Sequence, residues 1–226
     1  MTIQGNRRIF TKQEFQAILS HTRYRAYAEP HRPHRIDPCV RLTMFRLITC
    51  CGLRPQEARQ ITLDDLCLDG PRPHVRVRKE VAKTKSERRA PAWWDATTLE
   101  DLRWAKEWRA QHHGRTGGDT ILSGRTGEPF TKRRLAWRWC SLVRRLCGCK
   151  KSSSNHDAGC HMAALVPYCG RHTFASMALH GGRTLVEVRD AMGHASIATT
   201  NTYLHVPVED GDPELGSLFD FSELAT

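Results

Sequence analysis

Three residues near the end of this chain could each carry part of one phosphoryl chemistry. Arg171 lies in Tyr168-Cys169-Gly170-Arg171-His172-Thr173-Phe174-Ala175-Ser176, His194 in Met192-Gly193-His194-Ala195-Ser196, and Tyr203 closes Thr199-Thr200-Asn201-Thr202-Tyr203, nine residues after His194. A guanidinium is planar, meets phosphate oxygens two at a time and keeps its charge. An imidazole donates to the same oxygens, and a phenol can form a covalent phosphoester. Breaking a phosphodiester without a metal needs a nucleophile, groups that absorb charge on the non-bridging oxygens, and an acid for the leaving alkoxide. Two upstream cations suit the remaining tasks. Arg54 stands between Gly52-Leu53 and Pro55, and Lys83 opens the basic run Lys83-Thr84-Lys85. A lysine gives up its proton more readily when cationic neighbours lower its pKa.

The elements that must position these groups are mainly helical, with one small antiparallel sheet. Thr11-Lys12-Gln13-Glu14 is a capping box that opens a helix with Phe15, Ile18 and Leu19 on one side. Residues 21–38 read as a polar, proline-containing connector. Val40, Leu42, Phe45, Leu47 and Ile48 make an apolar helix ended by Gly52, and Pro55 suits the first turn of the next, to about Ile61. His74 to Arg78 alternates as a strand, Arg88 to Trp93 is its antiparallel return, and Lys83 sits in the turn between them. Thr97-Thr98-Leu99-Glu100 is expected to cap a helix carrying Leu102, Trp104, Ala105 and Trp108. A glycine-rich loop, 114–127, leads to a basic helix from Thr131 to about Leu146, with Leu135, Trp139 and Leu142 inward. The six tryptophans read mostly as core. A helix from Arg171 to about Leu179 stops at Gly181-Gly182. A second capping box, Thr184 to Glu187, opens a short helix ending at Gly193, and a last helix carries Tyr203.

The charge indicates the partner. The 226 residues carry a formal +11, and the last twenty hold six acids and no Lys or Arg, which leaves the body at +17. A body so basic favours a polyanion, the plain alternative being a solvated basic surface. No apolar run reaches the ~20 residues of a membrane span, and no secretory signal is visible. The nine cysteines, odd in number, therefore read as reduced thiols of a cytoplasmic protein. Residues 147–164 break the helical pattern. They are polar and serine-rich and hold Cys147, Cys149, His156, Cys160 and His161, which are either zinc ligands in a non-standard spacing or part of a flexible insertion. There is no Walker-type loop, no paired acidic metal site and no dinucleotide fingerprint.

In register, four segments resemble the tyrosine recombinases, or phage-type integrases. Cys51-Gly52-Leu53-Arg54-Pro55-Gln56-Glu57-Ala58 is similar to that family's first-arginine motif. Lys83-Thr84, upstream of Arg88-Arg89-Ala90-Pro91, is similar to its hairpin lysine, and Arg171-His172-Thr173-Phe174-Ala175 to its second-arginine motif. Met192-Gly193-His194-Ala195-Ser196 with Tyr203 is similar to its closing histidine and nucleophile. The resemblance implies the family's DNA breaking-rejoining catalytic-domain fold over residues 1–206, with 147–164 as an insertion. It implies a site-specific recombinase or integrase of mobile elements in which Tyr203 attacks a DNA phosphate and forms a 3′-phosphotyrosyl link. Arg54, Arg171 and His194 would stabilise the phosphorane and Lys83 would protonate the leaving 5′-oxygen, with no ATP and no metal required. The implied partners are double-stranded DNA and further copies of the chain, as a tetramer on DNA, near the nucleoid.

Two departures from the family stand out. The position three residues before the second arginine is usually histidine and here is Tyr168, a phenol with an unperturbed pKa of about 10 and so a poor base near neutrality. Tyr168 is expected to keep the phosphate-contact part of that role. The catalytic pattern also begins by Thr11, so the chain is expected to be either an isolated catalytic domain or a short member without the family's usual N-terminal clamp domain. The acidic tail, 207–226, with Leu215, Leu218, Phe219 and Phe221, is expected to dock on a neighbouring protomer or over its own basic site. The alternatives are topoisomerase-like or resolvase activity, or a DNA-binding protein that has lost catalysis.

Overall fold

A computed structural model describes residues 9–28, 37–112, 119–124, 127–147, 149 and 160–201. Helix α1 (Lys12–Ala28) opens on the expected capping box: Thr11 Oγ1 accepts from the Glu14 amide at 3.2 Å and Glu14 Oε2 accepts from the Thr11 amide at 2.9 Å. It does not stop near His21. Thr22 is buried with its hydroxyl donating back to the Ile18 carbonyl at 2.8 Å, Ala26 is buried, and Tyr27 donates to Asp101 Oδ1 at 2.7 Å. The polar stretch expected to be a connector continues the helix, because its inward positions are a self-satisfied threonine and a small alanine, which a helix tolerates.

Helix α2 (Asp37–Phe45) passes into a fully buried π-helical turn, Arg46–Cys50. Gly52 then takes φ +65°, and a Cβ there would lie 2.4 Å from the Phe174 ring, so both the backbone and the space demand glycine. The π-turn carries a buried charge. Arg46, fully enclosed, donates from Nε to Asp101 Oδ2 at 2.8 Å and from Nη1 to Thr98 Oγ1 at 2.9 Å, tying the turn to helix α4 (Ala96–Gln111). That helix is capped by Asp95, whose Oδ1 accepts from the Thr98 amide at 2.6 Å, and not by the expected box at Thr97. An aspartate two residues earlier takes the cap and starts the helix sooner.

Helix α3 (Pro55–Ala58) is one turn, shorter than expected. The sheet has three antiparallel strands in sequence order: β1 (Leu66–Cys67), β2 (His74–Val77) and β3 (Arg88–Pro91). The expected hairpin is present, with His74 opposite Pro91 and Val77 opposite Arg88. Strand β1, only two residues long, left no alternation to read.

Helix α5 (Lys132–Leu146), capped by Thr131, turns Leu135, Trp139 and Leu142 inward as expected. Trp139 meets Phe10 and Phe45, each at 5.9 Å between ring centroids, and its indole N–H donates to the Leu165 carbonyl at 2.8 Å. Trp94 and Trp108 are buried too, whereas Trp93 and Trp137 reach the surface. Helix α6 (Pro167–His180) begins four residues before Arg171, with Pro167 in its first turn, so Tyr168 and Arg171 share one helix. Helix α7 (Leu185–Met192) opens on the Thr184–Glu187 capping box and ends at Gly193 in the left-handed region; α8 (Ile197–Asn201) follows. The mainly helical architecture with a small antiparallel sheet is as the sequence indicates. The acidic tail and Tyr203 lie outside the described residues. No helix among the described residues is long and apolar enough to cross a membrane.

Candidate active site

The turn Met192–Gly193–His194 is where the separate motifs meet. Arg171, 3% exposed, donates from Nη2 to the Met192 carbonyl at 2.6 Å and from Nη1 to the Gly52 carbonyl. Arg54 donates from Nη2 to the Gly193 carbonyl at 3.0 Å. Two guanidiniums from segments more than a hundred residues apart are thus fixed on successive carbonyls of one turn. The turn can offer those carbonyls because Gly193 reverses the chain at φ +62° and closes the end of α7.

Arg54 is tied to Arg88 by a shared counter-charge. Glu57 is 1% exposed and sits in the first turn of α3. Its Oε1 accepts from Arg54 Nη1 at 2.8 Å, while its Oε2 accepts from the Arg54 amide at 2.9 Å and from Arg88 Nη2 at 2.7 Å. Burial pushes the Glu57 carboxyl up, but Arg88 and Arg54 outweigh it and hold it below the usual carboxylate range. Arg88, at the start of β3, lies against Gly193, where a Cβ would come within 2.5 Å of Arg88 Cδ. Its Nε and Nη1 are buried and find no hydrogen-bond partner among the described residues. Two guanidiniums on one carboxylate leave a local excess of positive charge, with Arg88 donors still to satisfy.

His194 completes the cluster. Its Nδ1 lies 2.8 Å from Thr200 Oγ1. Burial, then the charges of Arg171, Arg54 and Arg88, push its pKa down to about 4, so the imidazole is neutral near pH 7. A neutral imidazole can either accept or donate a proton at its outer edge.

Of the residues the sequence singles out, Arg54, Arg171 and His194 are brought together. His172 is half-buried on α6 and adds a weaker charge effect on His194. Tyr168 is 46% exposed, one helical turn before Arg171. Lys83 stands exposed in the β2–β3 turn and makes no hydrogen bond or ion pair among the described residues. Glu57 and Arg88 lie within the same motifs and join the cluster although the sequence assigns them no role. The alternation of β3 held the signal for Arg88, since a two-residue period puts Arg88 and buried Ala90 on one face and exposed Arg89 on the other.

The stacking around the cluster is tight. Trp94 lies parallel to Phe174 of α6 at 5.7 Å, and the Arg183 guanidinium sits over Trp94 at 4.9 Å and Trp93 at 5.0 Å. These contacts lock the chain after β3 to α6 and to the start of α7, so the arginines are placed by rigid neighbours.

Comparison with known proteins follows the same outline. The model of the phage integrase family matches residues 8–209. The chain is 28% identical over 163 residues to tyrosine recombinase XerD of Pseudomonas putida, covering 72% of this chain and 48% of the relative. Among solved structures it is similar to the XerH site-specific recombinase bound to palindromic difH substrate in a post-cleavage complex, with a TM-score of 0.61 at 18% identity, over 88% of this chain and 50% of that one. A λ integrase (75–356) dimer bound to a COC′ core site gives a TM-score of 0.56 at 17% identity, over 94% and 64%. The structural likeness supports a shared fold. The chain spans about half the length of the curated relatives it matches.

Proposed function

Since this chain belongs to the phage integrase family, we propose that it is a tyrosine recombinase that cuts and rejoins double-stranded DNA through Tyr203. The observation that carries this reading is the gathering of Arg54, Arg88, Arg171 and a neutral His194 around the turn that leads, nine residues on, to Tyr203. A scissile phosphate is a single negative charge that becomes two in the pentavalent state, and preorganised guanidiniums favour the second over the first. Arg54 and Arg171 bind the non-bridging oxygens. Arg88, with two buried donors lacking a partner, adds field and hydrogen bonds from below.

Tyr203 attacks the phosphorus and gives up its phenolic proton to water, and the 5′-oxygen departs with a proton from Lys83 on the exposed hairpin turn. The 3′-phosphotyrosyl link conserves the energy of the broken bond, so rejoining needs no ATP. His194, neutral before DNA arrives, gains proton affinity once a phosphate sits beside it, and Tyr168 offers a hydroxyl to the same phosphate. The partners on this reading are duplex DNA, bound through a basic body of +17, and further copies of the chain.

The test is covalent capture. Wild type and Tyr203→Phe are incubated in EDTA with nicked duplexes drawn from the DNA flanking the gene. A protein–DNA band present in wild type and absent in the variant is the expected result. DNA binding without any band would point instead to a member that has lost catalysis, the reading that Tyr168 in place of histidine favours. Relaxation of supercoiled DNA without synapsis would point to a topoisomerase-like enzyme.

A further inference from the structure

Away from the arginines, three thiols converge where α5 ends. Cys147 caps α5, Cys149 lies two residues on, and Cys160 returns just before the short 3-10 turn Met162–Ala164. Their sulfurs all lie within 4.8 Å of one another, and none is in a disulfide. Tetrahedral coordination with Zn–S bonds of about 2.3 Å puts sulfurs about 3.8 Å apart, so an ion asks these side chains to close by no more than about an ångström. Cys147 is buried while Cys149 and Cys160 are half-buried, which leaves a path for an ion to enter. Cys160 also lies within hydrogen-bond reach of the backbone N–H groups of Ala163 and Met162, the kind of outer contact that steadies a thiolate ligand.

We propose that Cys147, Cys149 and Cys160 bind one zinc ion as three thiolates. Binding releases the thiol protons, so affinity rises with pH. One tetrahedral position remains for water or a further donor. His161 is turned elsewhere, with Nδ1 2.8 Å from Glu14 Oε1, and His156 lies outside the described residues. The ion joins the end of α5 to the segment that enters α6, the helix carrying Tyr168 and Arg171. It is a structural clip that sets where α6 begins, distinct from the phosphate site and taking no part in the chemistry there.

The full chain, purified under reducing conditions without chelator, is examined by native mass spectrometry and elemental analysis. The expected result is one zinc per chain, lost in Cys149→Ser and in Cys160→Ser and retained in Cys67→Ser, whose sulfur lies outside the trio. Chelator should lower Tm in wild type and leave Cys149→Ser unmoved. Cobalt(II) in place of zinc should give a thiolate charge-transfer band that weakens as each of the three cysteines is replaced. Because Cys147 is buried, its serine variant could fail to fold; the half-buried Cys149 and Cys160 keep the test decisive. A metal-free protein whose Tm ignores added Zn²⁺ overturns the proposal, as does a mass showing two of these cysteines paired in protein kept from air.

Discussion

Replacing Glu57 by glutamine removes one charge and almost no volume from the centre of the site. In the wild type the carboxylate receives hydrogen bonds at 2.9, 2.8 and 2.7 Å from the Arg54 amide, Arg54 Nη1 and Arg88 Nη2. The amide keeps one acceptor oxygen and turns an NH₂ toward a guanidinium. Removing one partner of a buried ion pair costs about 3–5 kcal/mol, and the retained oxygen offsets part of that, so a loss of about 3 kcal/mol is expected. For a chain of this size, 1 kcal/mol moves Tm by about 2–4 °C, which places the expected fall at about 6–12 °C.

The sign with pH follows from the depressed carboxyl. Its stabilisation is complete above the unfolded pKa of about 4.3 and is lost as pH falls through the lower folded value, so the gap between wild type and Glu57→Gln is full at pH 7 and closes only in acid. The variant also leaves arginines without a counter-charge. Sulfate should therefore stabilise the variant by about 1.4 kcal/mol at ten times its dissociation constant, and wild type by less at the same concentration. Urea unfolding at pH 7 with and without sulfate reads both effects. A stability loss under about 1 kcal/mol with no difference in the sulfate response would refute the view that Glu57 ties Arg54 to Arg88.

Arg46→Met takes the Arg46 guanidinium from the enclosed Asp95 and Asp101 and leaves Asp101 only its pair with Arg23 Nε at 3.0 Å, and differential scanning calorimetry should show a loss of about 3 kcal/mol; a near-neutral result would mean that water reaches those carboxylates. His194 has a folded pKa of about 4, below its unfolded value of about 6.5, so its contribution is intact above pH 6.5 and declines as pH falls toward 4. Allowing for its partial exposure, about 1–2 kcal/mol should disappear across that window in wild type and not in His194→Asn, measured by urea unfolding at several pH values. Tyr168→His restores the residue type the family usually carries, and covalent capture should be kept or increased. Complete loss of capture would remove Tyr168 from the phosphate contact.

Much of the site was legible because its groups are chemically specialised and sit next to strong backbone signals. Arg54 stands between a glycine and a helix-starting proline, His194 follows a glycine that ends a capped helix, and Arg171 lies in a segment with no other strong cation. The boundaries that misled share one cause. Thr22 and Ala26 continue α1 although the stretch looks polar, and Asp95 caps α4 ahead of the threonines, because in both places a side chain bonding to nearby backbone competes with the pattern of apolar residues.

The sequence alone determined the family, the mainly helical class with its hairpin, and the identity of Arg54, Arg171 and His194 as a set, since local caps, turns and motif order are written in neighbouring residues. Only the tertiary structure decided that Glu57 and Arg88 belong with them, that the imidazole of His194 is neutral, and that three cysteines from the two ends of an insertion meet. Those facts arise from chain segments brought together in space, in the case of Arg54 and Gly193 across more than a hundred residues. Burial and Coulomb terms depend on what surrounds a group in space, and a linear pattern does not carry that information.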